Sequence, residues 1–203
     1  MAGKIVAVIG CTRTGKSYLV KKLAEHYHAP YLLEWEEPTA DADIVTYIKK
    51  NTHPIERYRY FRDLSVAHHL CAEKMTGAHP LVFIDTFWFN NAPWIEVYNA
   101  TPAERRVMQS IFDADAAALP RPACAIYLEA DIETSRRFAD MGGRSFDKEF
   151  ETQMIQLKNA YRLFMAHAPL DFPCIEIDRT GLDFDTPEHL KIVTDKIDSV
   201  LKP

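Results

Sequence analysis

The chain has 203 residues, 47% of them hydrophobic and 26% charged, with a formal net charge of −5 at pH 7 and a pI near 5.9. That length builds one domain with a full core, and the acidic balance argues against a generic duplex-binding surface, which needs a basic stripe to displace counterions. Four cysteines, Cys11, Cys71, Cys124 and Cys174, form no CxxC pair and read as mostly buried thiols in a reducing cytosol. The opening MAGKIVAVIG is too short and too abruptly polar for a signal peptide, and no apolar run approaches ~18 residues, so a cytoplasmic location without a membrane span is expected.

Lys4–Ile9 is an apolar run that ends at a glycine, hence a buried strand. Ser17–His28 places Leu19, Val20, Leu23, Ala24 and Tyr27 at helical spacing. Tyr31–Trp35 reads as a second strand; Ile44–Lys50 and the longer Ile55–Thr76 read as helices. Gly77–Pro80 breaks the chain before a third strand, Leu81–Ile84, that ends in Asp85. After an aromatic-rich segment, Phe87–Tyr98, the string Thr101-Pro102-Ala103-Glu104 offers a capping hydroxyl, a first-turn proline and a capping-box acid. It predicts a helix to Leu119, stopped by Pro120-Arg121-Pro122. Ala123–Leu128 is a fourth strand, and Ile132–Ala139 starts a helix that halts near Gly142-Gly143. Phe150–His167 is a helix, Cys174–Ile177 a fifth strand and Pro187–Leu201 a closing helix packed by one face on the sheet. Strands alternating with helices predict an α/β fold: one domain over 1–203, with a five-stranded parallel sheet flanked by helices.

Residues 10–17, GCTRTGKS, have the full P-loop spacing, with an apolar strand before and a helix after. Gly10 and Gly15 let the backbone turn tightly, so that the N–H groups of the loop, Thr12, Arg13 and Thr14 included, face phosphate oxygens. The helix N-terminus adds partial positive charge. Lys16 is placed to reach the β- and γ-phosphates of ATP, and Ser17 to ligate Mg²⁺. Asp85, at the carboxyl end of a buried strand, lies where open α/β sheets bind ligands; it suits Mg²⁺ or its waters, the plain alternative being a helix N-cap. The second strand runs into EWEEP, where Glu34 and Glu36 share one face and Glu37 tends to the other. Acids beside a γ-phosphate repel it, so their useful role is to take a proton from an attacking hydroxyl; the plain alternative is a solvated acidic loop. Arg136, Arg137 and Arg144 cluster after the fourth strand, either as cations over a transferring phosphoryl or as a solvated helix face.

With these landmarks, GCTRTGKS at 10–17, E-P at 37–38, LVFID at 81–85, LPRPACAIYLEAD at 119–131, GGRSFD at 142–147 and IEIDRTGLDF at 175–184, the chain resembles the deoxyribonucleoside kinase family of the thymidylate-kinase-like P-loop group. The resemblance runs over most of the chain and implies a P-loop NTPase fold with an arginine lid, using ATP and Mg²⁺. It implies that Glu37 is the general base for a substrate 5′-hydroxyl. Lys16 and Ser17 match the phosphate and metal positions, and Asp85 matches the acid of the family's Asp/Glu-Arg-Ser motif. Arg144 matches a lid arginine, with Arg137 as its partner at a spacing one residue longer than usual. Asp178 to Thr180 match the loop beside the ATP adenine. Relatives are commonly dimers, so a homodimer is an expectation of the resemblance alone.

Two departures concern the phosphate acceptor. Asp85 is followed by Thr86-Phe87-Trp88 where relatives have Arg-Ser. In the long helix, Arg62 falls near the family's base-reading glutamine, which suits an acceptor-rich base or an extra phosphate. Trp35, Arg62 and Trp88 are therefore the candidate substrate contacts. Trp88, Trp94, Phe87, Phe89, Tyr58, Tyr60 and Phe61 are also dense enough to be core. His68-His69 with Cys71 lacks convergent metal ligands, because adjacent helical residues point about 100° apart.

The expected activity is ATP-dependent phosphorylation of the 5′-hydroxyl of a nucleoside or modified nucleoside, with a small-molecule partner rather than a nucleic acid. The rivals are a nucleoside monophosphate or DNA-hydroxyl kinase of the same group, and a nucleotide-binding protein without turnover.

Overall fold

A computed structural model describes residues 3–34, 42–141, 151–168 and 170–202. Its strands are β1 (Lys4–Ile9), β2 (Tyr31–Leu32), β3 (Leu81–Asp85), β4 (Cys124–Glu129) and β5 (Cys174–Asp178). They form one all-parallel sheet in the order β2-β3-β1-β4-β5. The helices are α1 (Lys16–Tyr27), α2 (Ala42–Lys50), α3 (Pro54–Met75), α4 (Trp94–Val97), α5 (Pro102–Ala118), α6 (Ile132–Met141), α7 (Glu151–His167) and α8 (Pro187–Leu201).

Parallel strands need helical crossovers, and crossovers cover both faces. The central strands β1, β3 and β4 accordingly read as unbroken apolar runs. Alternate residues of β1 enter two different cores. Ile5, Ala7 and Ile9 pack with residues of α3, α7 and the Phe87–Phe89 segment. Val6 and Val8 pack with Leu19, Val20 and Leu23 of α1 and Val193 and Ile197 of α8. At the sheet edge, β5 alternates instead: Ile175 and Ile177 are buried, Glu176 and Asp178 exposed. β2, on the opposite edge, pairs only Tyr31 with Phe83 and Leu32 with Ile84, and is shorter than the predicted Tyr31–Trp35. Residues 35–41 lie outside the described residues.

The predicted cap of α5 is present: the Glu104 N–H donates to Thr101 Oγ1 (3.3 Å) and the Thr101 N–H to Glu104 Oε2 (2.7 Å). The aromatic segment resolves into a 3-10 turn (Trp88–Asn91) followed by α4. Trp88 is 1% exposed. Its Nε1 donates to the Pro120 carbonyl (3.3 Å), Arg121 lies 4.8 Å from its ring, and Phe87, Phe89 and Phe112 surround it. The expectation that Trp88 touches substrate is therefore corrected: the turn points the ring inward, where it fills the layer between the sheet and α5. No helix among the described residues is long and apolar enough to cross a membrane.

His69 of α3 is buried edge-on against Phe87, with Glu73 Oε1 3.9 Å away, too far to hydrogen-bond. Burial, helped by Arg121, lowers its pKa to about 4. A depressed histidine pKa means that the unfolded chain binds the proton first as pH falls. This contribution to stability is therefore complete above pH ~6.5 and drains away towards pH 4, by on the order of 3 kcal/mol at most. Thermal unfolding followed between pH 7 and 4.5 is expected to show the loss, and His69→Gln to flatten it.

Candidate active site

The central strand β1 delivers its end to the loop Gly10–Gly15, and α1 begins at Lys16. Gly10 has φ +139°, and a Cβ there would lie 2.3 Å from the Leu128 carbonyl oxygen. Gly15 has φ +86°, and a Cβ there would strike the Arg179 guanidinium. Gly10 thus requires glycine on two counts, and Gly15 by its backbone conformation. The Gly10 N–H donates to Asn90 Oδ1 (2.9 Å), and Thr14 Oγ1 to the Cys11 carbonyl (3.0 Å). Thr14 is buried and braces the loop from within; Thr12, Arg13, Lys16 and Ser17 line the cleft. Lys16 Nζ donates to the Cys11 carbonyl (3.1 Å). Burial pushes the Cys11 thiol up to about 11, so it stays protonated and inert at neutral pH.

Asp85 ends β3 directly beside Val8 of β1. Its Oδ2 accepts from Ser17 Oγ, while its buried Oδ1 has no hydrogen-bond partner among the described residues. Thr86 then turns the chain away at φ +67°. A serine hydroxyl and an under-satisfied carboxylate are hard oxygen donors at the mouth of the phosphate loop. They fit Mg²⁺, which takes one or two protein oxygens and keeps water and phosphate for the rest.

A cleft of about 1090 Å³ runs over the carboxyl ends of the strands. That exceeds the usual volume for a single small ligand, so it has room for two. Arg13, Lys16, Lys21, Arg57, Arg137 and Arg179 line it against four acids, Glu34, Asp85, Asp183 and Asp185, although the chain as a whole is acidic.

One half is built around the loop and the β5–α8 connection. Arg179 lies 4.5 Å from the rings of both Phe138 and Phe184, and its Nη1 donates to the Gly15 carbonyl (3.4 Å). Asp178 and Thr180 do not line the cleft. Asp178 Oδ1 accepts from the Thr180 N–H (2.9 Å) and Thr180 Oγ1 from the Asp131 N–H (3.1 Å), so the pair shapes the loop that presents Arg179, Gly181 and Leu182. Arg137 reaches this half from α6, whose first turn is held by the Thr134 N–H donating to Asp131 Oδ1 (2.7 Å). The other half is walled by Arg57 and Phe61 of α3, Asn90 and Asn91, Trp94, Tyr98 and Tyr161, with Glu34 at its edge. Tyr161 donates its hydroxyl to the Asn90 carbonyl (2.8 Å), and Asn91 Nδ2 donates to Ser65 Oγ and the Trp88 carbonyl (3.2 Å each).

Arg62 is not part of this wall, which corrects its assignment as a substrate contact. Its Nε donates to Asp115 Oδ2 (2.8 Å), its Nη2 to the other Asp115 oxygen and its Nη1 to Asp63 (2.7 Å). Asp115 is buried on α5 and needs that cation. Positions 57 and 61 share a helix face one turn apart, and 62 is rotated about 100° off it. Arg62→Ala is expected to cost about 1–3 kcal/mol of unfolding free energy and to leave ligand affinity unchanged; urea melts and calorimetric titration check the two halves. Trp35, Glu37 and Arg144 lie outside the described residues. Sequence reading missed Arg57, Asn90, Asn91 and Arg179. The available signal was the pair of amides within the otherwise apolar FWFNNAPW, since buried amides must find partners.

The parallel sheet has the order β2-β3-β1-β4-β5, with the glycine-rich loop after its central strand. The chain shares this fold with solved deoxynucleoside and thymidylate kinases. It is similar to a deoxyadenosine kinase from M. mycoides solved with the products dCMP and a flexible dCDP bound: TM-score 0.78, 17% identity, 96% of this chain and 99% of that one. The same enzyme solved with dATP gives TM-score 0.75 and 14% identity over the same shares of the two chains. A thymidylate kinase from Candida albicans gives TM-score 0.72 and 13% identity, over 98% of this chain and 92% of that one. No family model and no curated protein matches the sequence.

Proposed function

We propose that the chain transfers the γ-phosphoryl group of ATP to the 5′-hydroxyl of a nucleoside. The observation that carries this reading is the single cleft that joins the phosphate loop to a second, aromatic-walled half, with a surplus of basic residues along it. The kinases of this fold, one of them solved with dCMP and dCDP and again with dATP, support it. In this reading the loop N–H groups and Lys16 bind the β- and γ-phosphates, and Arg137 faces them from α6. Ser17 and Asp85 hold Mg²⁺, which when bound neutralises phosphate charge. Phosphoryl transfer needs positioning and charge stabilisation more than covalent help, and this lining supplies both. The base is Glu37 by resemblance; Glu34 is the acid on the acceptor side that lines the cleft among the described residues.

The test is transfer of labelled γ-phosphate from ATP to nucleosides, monophosphates and an oligonucleotide side by side, with Glu34→Gln and Glu37→Gln run separately. A labelled 5′-monophosphate that disappears in one of the two variants is the expected result. ATP binding with no transfer to any acceptor would overturn the kinase reading in favour of a nucleotide-binding protein.

A further inference from the structure

The acceptor half contains a cation that the phosphate chemistry does not use. Arg57 sits one turn before Phe61 on the cleft face of α3 and is only 4% exposed. The centre of its guanidinium lies over the Tyr98 ring, 4.6 Å from the centroid. Nη1 donates to Asn51 Oδ1 (2.8 Å), from a left-handed turn position (φ +49°) that asparagine tolerates better than most residues. The side chain is thus held by two neighbours. On its remaining edge, the buried Nε makes no hydrogen bond among the described residues, and no carboxylate there pairs with the guanidinium. A buried guanidinium without a counter-charge is costly unless a ligand completes it. A rigid Nε–Nη2 edge is a fork with two parallel donors.

We propose that Arg57 is the specificity-determining residue of the acceptor pocket, and that it selects ligands presenting two adjacent hydrogen-bond acceptors. The inference rests on the kinase reading for the role of the pocket, but its test is binding, which needs no turnover. Two sources carry that chemistry. One is a base edge with neighbouring acceptors: O6 and N7 of guanine, or N3 and O2 of cytosine. The other is a pair of phosphate oxygens. Adenine and thymine alternate donors and acceptors along their edges and offer no such pair.

Calorimetric titration of the full chain with deoxyguanosine, deoxycytidine, deoxyadenosine, thymidine and dAMP decides it. Ligands bearing the pair are expected to bind about 10- to 100-fold more tightly than deoxyadenosine or thymidine, the usual worth of hydrogen bonds to a charged group. Preference for deoxyguanosine and deoxycytidine identifies the base edge; preference for dAMP over deoxyadenosine identifies the phosphate. Arg57→Lys keeps the charge and loses the fork, and is expected to abolish the preference. Deoxyadenosine or thymidine binding as tightly as the best ligand overturns the proposal on the native protein alone, should the variant not fold. So does a preference that survives Arg57→Lys. Labelled transfer from ATP, run on the same samples, separates the two failures. Transfer without selectivity removes Arg57's role and keeps the kinase; selectivity without transfer does the reverse.

Discussion

Lys16→Ala is expected to lower phosphoryl transfer by about 10²–10³-fold or more, the scale of losing one preorganised charge at the reacting group. Lys16 is the first residue of α1 and its ammonium already lies within the loop, on the Cys11 carbonyl. Its stem crosses no core, so its removal leaves both hydrophobic clusters intact. The melting temperature should stay within a degree or two of the parent, and circular dichroism should be superimposable. The expected kinetic signature is a fall in kcat with a smaller change in the KM for the acceptor, because the lysine faces the donor half. Steady-state rates with labelled ATP measure this directly. A variant that keeps a tenth of the parent rate would show that the loop binds phosphate without being the place of transfer.

Trp88→Ala is expected to have the largest effect on stability, about 3–5 kcal/mol, the range for removing a fully buried large aromatic. The ring is shared by Phe87, Phe89 and Phe112 on its sides and by Arg121 on its face. Its loss opens a void that no neighbour can fill without leaving its own contacts. It also strips Arg121 of a cation–π partner and leaves the Pro120 carbonyl without its indole donor. For a chain of this size the melting temperature should fall by about 10 °C, read by calorimetry or circular dichroism. If the variant instead melted like the parent and lost affinity for nucleosides, the ring would be a pocket wall rather than core.

The donor side of the cleft was legible in the sequence because its information is local. Glycine, lysine and serine stand at fixed offsets, and the strand and helix beside them announce themselves by unbroken and periodic apolarity. β1, β3 and β4 could be read for the same reason: strands covered on both faces carry no polar interruption. β2 was overextended, since an edge strand paired on one side ends where its partner does, and sequence does not show the partner. The acceptor wall was the hard part. It draws on α3, the Trp88–Asn91 turn, α4 and α7, elements separated by tens of residues, and which face of α3 meets it depends on helix phase. Arg62 stands five residues after Arg57 on α3, about 1.4 turns on, and so points to a different face. Nothing local marks Asp115, 53 residues further along the chain, as the claimant of Arg62. Arg179 was hidden between two polar neighbours that looked more functional, because stacking among Phe138, Phe184 and Tyr18 is a tertiary fact.

Asn90 joins three parts of the molecule through one residue. Its amide oxygen is the partner of the first loop glycine, and its main-chain oxygen receives the phenol of α7. The Gly10 N–H is thereby spent on the protein itself, so the donors left for an anion begin further along the loop. On the kinase reading proposed above, the gap that the phosphoryl group crosses is gauged by backbone and a buried amide, which hold their positions like a fixed jaw.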